Sequence, residues 1–248
     1  MSIVLILGSG PNVVAARDWP RDRLGRIVAI NNAWAVRPDW DLHIHPEDFP
    51  PEARPSPGPD QRIVTYQDYV PAMNAHGGVV WCGGTMAFTA GYWALQALRP
   101  RVIAFLGCDM VYAASGNTHF YGTGTADPLR ADVTLQSLEA KAARLFLTGA
   151  LRGTLCVNLS AGESRLVFPR ARPEALGACR EGVVRPDLTA VAAALRAERQ
   201  LGYAAPDGKY WKIADRLDGA ALAHVDTLWT RAFAASRVDL APREAMIA

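Results

Sequence analysis

The sequence predicts an α/β protein: a Rossmann-like, doubly wound, mostly parallel sheet with a C-terminal helical extension. Three observations predict it. Short apolar runs recur along the first 160 residues, and they are continuous rather than alternating, as in strands covered on both faces. Stretches with apolar residues at spacings of three and four lie between them. Strands alternating with helices pair in parallel, because each crossover returns the chain to the same edge. At 248 residues the chain is long enough for one sizeable α/β domain with a small helical appendage.

In chain order, the runs at 2–7, 26–31, 41–45, 62–65, 79–82, 101–107 and 154–158 read as strands. The stretch 85–98, rich in Ala and Leu, reads as a helix. So does 134–149, where Leu135, Leu138, Ala142, Leu145 and Phe146 share a face. The six prolines of 46–59 mark a surface loop. After about Pro173 the strands are expected to stop. Residues 187–201 read as a helix with Pro186 and Asp187 at its start, and 209 to about 235 as one or two more. Gly202 and Pro206-Asp207-Gly208 break the two apart. The expected division is a Rossmann-like domain over 1–172 and a helical cap or oligomerisation region over 173–248, the latter pointing to a homo-oligomer.

Composition narrows the classes. Half the residues are hydrophobic and 20% are charged, which excludes a disordered or fibrous chain. A net charge of +2 argues against a nucleic-acid binder. No run of about 18 apolar residues exists, so no transmembrane segment is expected. The first residues lack the charged and cleavable parts of a signal peptide. None of the four cysteines has C-x-x-C or zinc spacing, and Cys82, Cys108 and Cys156, at or near the ends of apolar runs, read as buried free thiols, which fits a cytoplasmic location. Only three of the 26 basic residues are Lys, so a bound phosphate is expected to meet backbone N–H groups or a guanidinium.

Candidate site residues follow from the rule that open parallel sheets bind ligands beyond the carboxyl ends of their strands. The first strand ends in Gly8-Ser9-Gly10-Pro11-Asn12, a tight turn into a helix start that suits an anion. It departs from the dinucleotide fingerprint at Val13, and Asn31-Asn32 stands where a ribose-binding acid belongs, so NAD and FAD are not expected. Asn31 and Asn32 offer amides for a ribose, a base edge or a sugar. His43 and His45 share a strand face, and with Glu47 and Asp48 they are a weak metal candidate lacking further ligands at the right spacing. Asp39-Trp40-Asp41 precedes its strand and reads as a solvated turn. Gly83-Gly84-Thr85 opens a second helix start, with Thr85 as its cap. After the sixth run come Asp109, Tyr112, His119 and Tyr121, the groups that proton transfer needs.

Together, G-S-G-P-N, A-I-N-N, H-P, G-G-T-M-A-F-T-A-G-Y-W-A-L, V-I-A-F-L-G-C-D-M-V-Y and T-H-F-Y-G resemble the bacterial family-42 sialyltransferases over roughly residues 2–160. The layout is also similar to the motility accessory factors and the 6-hydroxymethyl-dihydropterin pyrophosphokinases. The resemblance implies a nucleotide-binding catalytic domain that takes a nucleotide-activated sugar donor, with a CMP-linked nonulosonic acid as one candidate, and a glycan or small-molecule acceptor. It implies that Gly8, Ser9 and Gly10 form the nucleotide loop, that Asn31 binds the donor, that Gly83, Gly84 and Thr85 touch the nucleotide, and that Tyr112 contacts the phosphate. Thr123 stands where the family's general base is His, and His45 where it has Asn before Pro, so either His119 or His45 serves as base or the chemistry differs. This reading needs no cofactor. A diphosphotransferase would need Mg²⁺, with Asp109 as ligand, and a non-catalytic nucleotide-binding protein is the third reading.

Overall fold

The computed structural model describes residues 2–111, 116–122 and 132–240. Its centre is a six-stranded, all-parallel sheet. The strands are β1 (Ile3–Leu7), β2 (Arg26–Ile30), β3 (Leu42–Ile44), β4 (Arg62–Val64), β5 (Val102–Leu106) and β6 (Leu155–Asn158), in the order β4-β3-β2-β1-β5-β6. β1 and β5 lie at the middle of the sheet and are buried at every residue, which is why their sequences, IVLIL and VIAFL, do not alternate. Leu7 pairs with Leu106, so both strands end at one level. The chain builds outward from β1 to β4 and then returns to the other side of β1. That reversal makes the β1/β5 boundary the topological switch point, where a crevice opens beyond the strand ends.

The helices are α1 (Tyr66–Asn74), α2 (Val79–Cys82), α3 (Met86–Ala97), α4 (Leu138–Ala150), α5 (Leu176–Cys179), α6 (Leu188–Leu201) and α7 (Gly219–Ala235). α3 packs on β1, β2 and β5, flanked by α1 and α4. Thr85 caps α3 by accepting from the Phe88 amide (3.4 Å), Ser137 caps α4, and Asp187 caps α6. The run at 79–82, expected as a strand, is instead the one-turn helix α2. Four apolar residues suit a buried turn as well as a strand, and Gly78 and Gly83, both at positive φ, bend the chain at either end. The helix expected over 134–149 begins at Leu138, because Asp132 and Ser137 each cap a separate turn.

Strands do not stop at Pro173. Val183–Arg185 (β7) and Arg237–Asp239 (β8) pair antiparallel and bracket the last helices. Both strands are short and largely exposed, so no apolar pattern announces them. α6 and α7 pack on each other, and α7 packs on α4. Two buried ion pairs fix this seam. Lys141 of α4 lies 3.1 Å from Asp226 of α7, and Arg144 of α4 grips Glu198 of α6 at 2.7 and 2.9 Å. Arg144 also donates to the Tyr92 hydroxyl (2.8 Å) and the His76 carbonyl (2.6 Å), and Trp229 donates to Glu198 (2.7 Å). One hydrophobic core runs from the sheet into these helices. All four cysteines are free and buried.

Candidate functional site

Two arrangements occupy the carboxyl edge of the sheet. The first sits at the β1/β5 switch point. Gly8 and Gly10 are glycines for a packing reason. A Cβ on Gly8 would lie 2.3 Å from the Gly107 carbonyl oxygen, and one on Gly10 would lie 2.9 Å from it. Their amides donate to the Leu106 and Gly107 carbonyls, each at 2.8 Å, and are therefore spent on the sheet rather than offered to an anion. Pro11 opens a 3-10 helix, Pro11–Asp18. Asn12 reaches back across the switch point and donates to Asp109 (2.8 Å). Ser160 (2.6 Å) and Asn158 (3.2 Å) donate to the same carboxylate. Asp109 thus ties the ends of β1, β5 and β6 together. The Asn12 amide oxygen is buried without a partner.

The segment after β5 folds back onto this cluster. The Phe120 amide donates to the Ser9 carbonyl (3.0 Å), and His119 and Gly122 exchange backbone hydrogen bonds in a tight turn. His119 is 7% exposed, its Nδ1 lies 2.9 Å from the Thr118 hydroxyl, and its ring stacks on the exposed Tyr121. Burial lowers its pKa below the ordinary histidine value, which favours the neutral ring. Tyr112 and Thr123 lie outside the described residues.

At the end of β2, Asn31 adopts a left-handed backbone (φ 50°), and its side-chain oxygen is buried without a partner. Asn32 follows it in the 3-10 segment Asn31–Val36. The Asn31 carbonyl accepts from His43 Nε2 (2.8 Å). Burial drives the His43 pKa down to about 4. His45 Nδ1 donates to the Pro46 carbonyl (2.8 Å), which leaves Nε2 as the ring's proton acceptor. His43, His45 and Phe49 stack together. Asp39 and Asp41 are held by Arg37, Arg21 and the Ile27 amide, so the Asp39-Trp40-Asp41 motif is structural.

The second arrangement is a cavity of about 930 Å³ beyond β3 and β4. Its walls come from the loop after β3, from α1, from the start of α3, and from 207–214 of the segment joining α6 to α7. That segment is pinned across the opening. Asn74 donates to the Pro206 carbonyl (2.8 Å), Trp81 donates to the Tyr203 carbonyl (3.1 Å), and Lys209 lies 4.0 Å from Glu47. Gly84 lines the cavity, but Tyr210 covers it, with the hydroxyl 3.2 Å from where a Cβ would stand. The same hydroxyl donates to Asp132. Gly83 packs against Phe88, Lys141 and Leu135. The turns 8–12 and 83–85 therefore share an edge of the sheet but not this cavity.

Sequence reasoning missed Asn158, Ser160, Tyr69, Thr89 and Tyr210. Asn158 closes a strand, so the strand-end rule could have flagged it. The others become neighbours only through folding. Among the described residues, no three His, Cys, Asp or Glu side chains form a group able to hold a metal. Asp109 acts as the acceptor that joins three loops. Among the described residues no helix is long and apolar enough to cross a membrane. No protein-family model, no curated protein and no solved structure matches the chain.

Proposed function

We propose that this chain is a glycosyltransferase that uses a nucleotide-activated sugar, of the sialyltransferase-like kind, in a compartment where thiols stay reduced. The observation that carries the reading is the convergence at the switch point. The loop 8–12, Asp109 and the turn bearing His119 come together there, although about 100 residues separate the first from the others. Switch points are where open parallel sheets hold nucleotides.

In the reaction, the acceptor hydroxyl oxygen bonds to the anomeric carbon, and His119 takes the hydroxyl proton. The bond from that carbon to the phosphate oxygen breaks, and its electron pair leaves with the phosphate. Two features support His119 as the base: burial favours its neutral form, and the Phe120–Ser9 hydrogen bond holds its turn beside the first loop. With the Gly8 and Gly10 amides engaged, the departing phosphate would depend on side chains such as Ser9 and on the remaining free backbone donors.

A thermal-shift panel of CMP, CDP, UDP, GDP and ATP tests the reading. A nucleotide at 100 times its dissociation constant stabilises by about 2.7 kcal/mol. His119→Ala should then lower turnover of the matching sugar nucleotide more than tenfold at an unchanged melting temperature. No shift with any nucleotide overturns the reading, and unchanged turnover removes His119 from the role.

A further inference from the structure

The cavity beyond β3 and β4 is not used by the reaction above, and its chemistry is unlike that of a phosphate site. Four carboxylates line it, those of Glu47, Asp48, Asp132 and Asp207, against one ammonium, that of Lys209. Carboxylates in a cleft with low-dielectric walls focus a negative potential that repels phosphates and draws cations. Tyr66, Tyr69, Tyr210 and Trp211 supply ring surfaces, and Tyr66 and Trp211 are exposed at 41% and 60%. Such rings hold a flat ligand by stacking and an ammonium by its attraction to the π face.

Thr89 lines the same cavity from α3 and places a hydroxyl in its wall. A cavity of about 930 Å³ is at the upper end of the range for small-molecule sites, roughly 300–1,000 Å³.

We propose that this cavity binds a ring-bearing ligand that carries a protonated amine. The ring lies between the aromatic side chains, the ammonium faces Glu47 and Asp48, and the Thr89 hydroxyl meets a polar atom of the ligand. Asp132 and Asp207 already answer to Tyr210 and Lys212, and Glu47 faces Lys209 at 4.0 Å across the opening. Lys209 therefore competes with the ligand's cation. The inference does not depend on the nucleotide-sugar reading, since it concerns different residues and is read by binding alone.

Three probes with one ring system and different charge test it by ligand-observed NMR and calorimetry on the full chain: tryptamine, its neutral N-acetyl amide, and indole-3-acetate. Tryptamine should bind at least tenfold more tightly than the amide, and the acid weakest of all. Raising salt should weaken tryptamine alone, as screening requires. Lys209→Gln should strengthen tryptamine binding several-fold. Glu47→Gln with Asp48→Asn should weaken it at least fivefold at an unchanged melting temperature. The proposal is overturned if the amide or the acid binds as tightly as the amine, if none of the three binds the wild type or Lys209→Gln, or if Lys209→Gln weakens the amine. Nucleotide binding in the separate panel is unaffected by any of these results.

Discussion

Glu198→Ala tests how firmly the C-terminal helices are built into the sheet domain. Glu198 is 5% exposed and Arg144 is 3% exposed, and they meet through two hydrogen bonds at 2.7 and 2.9 Å. Truncating Glu198 leaves the guanidinium buried with only the Tyr92 hydroxyl and the His76 carbonyl as strong oxygen acceptors. Breaking a buried pair from one side costs about 3–5 kcal/mol. The Trp229 N–H loses its acceptor too, which adds roughly 1 kcal/mol. Against a total stability of about 5–15 kcal/mol, this removes a large share. For a chain of this size it corresponds to a melting point lower by roughly 10–20 °C. Urea unfolding followed by far-UV circular dichroism and tryptophan fluorescence should show one transition by both probes, with a lower midpoint and the same slope. Adding Arg144→Met to Glu198→Ala removes the uncompensated charge and should recover part of the loss, a non-additivity expected of touching residues. A loss below about 1 kcal/mol, or helices that melt before the sheet, would refute the reasoning.

Two of the buried histidines, His43 and His76, set an acid limit. Burial holds His43 and His76 near pKa values of about 4, against an ordinary 6.5. Their folded pKa values are depressed, so the unfolded chain binds protons first, and the stability they allow is complete above pH 6.5 and is lost as pH falls towards 4. By pH 5 each should cost about 2 kcal/mol, and His43→Phe should flatten that part of the stability-pH curve. Gly8→Ala drives a methyl onto the Gly107 carbonyl, so it should destabilise by about 3 kcal/mol or more in a ligand-free melt; a neutral result would contradict the packing account of this glycine. Asp109→Ala strips the acceptor from Asn12, Asn158 and Ser160. It should cost roughly 2–4 kcal/mol and speed amide exchange in the loops after β1 and β5; protection equal to wild type would argue against a tying role.

The central architecture was legible because it rests on burial. Runs such as IVLIL and VIAFL are covered on both sides, and their continuity shows it. Caps were legible for a similar reason, since Thr85 and Asp187 act on amides two or three residues away. The 79–82 run was ambiguous, because four apolar residues carry no period. The seam between α4 and the last helices was hidden in charged residues. Lys141, Arg144, Glu198 and Asp226 look like solvent positions until folding pairs them inside the protein. The glycine loop was found for one reason and needed for another, since a residue that must approach a ligand and one that must approach a strand look alike in sequence. The cavity was out of reach altogether. It joins Glu47 to Lys209, and no local pattern links residues that far apart.

The small ribbon of β7 and β8 sets Val183 opposite Asp239, so the chain enters and leaves the α6–α7 hairpin at one place. Topologically, that hairpin is a cassette whose ends already touch, and excising it would ask for almost no rerouting of the backbone. Electrically it is the reverse, because excision would strand Lys141 and Arg144 on α4 without their counter-ions. An ancestor lacking the cassette would have needed different side chains at those two α4 positions, and a transplant of the hairpin onto another sheet would have to bring the two cations with it.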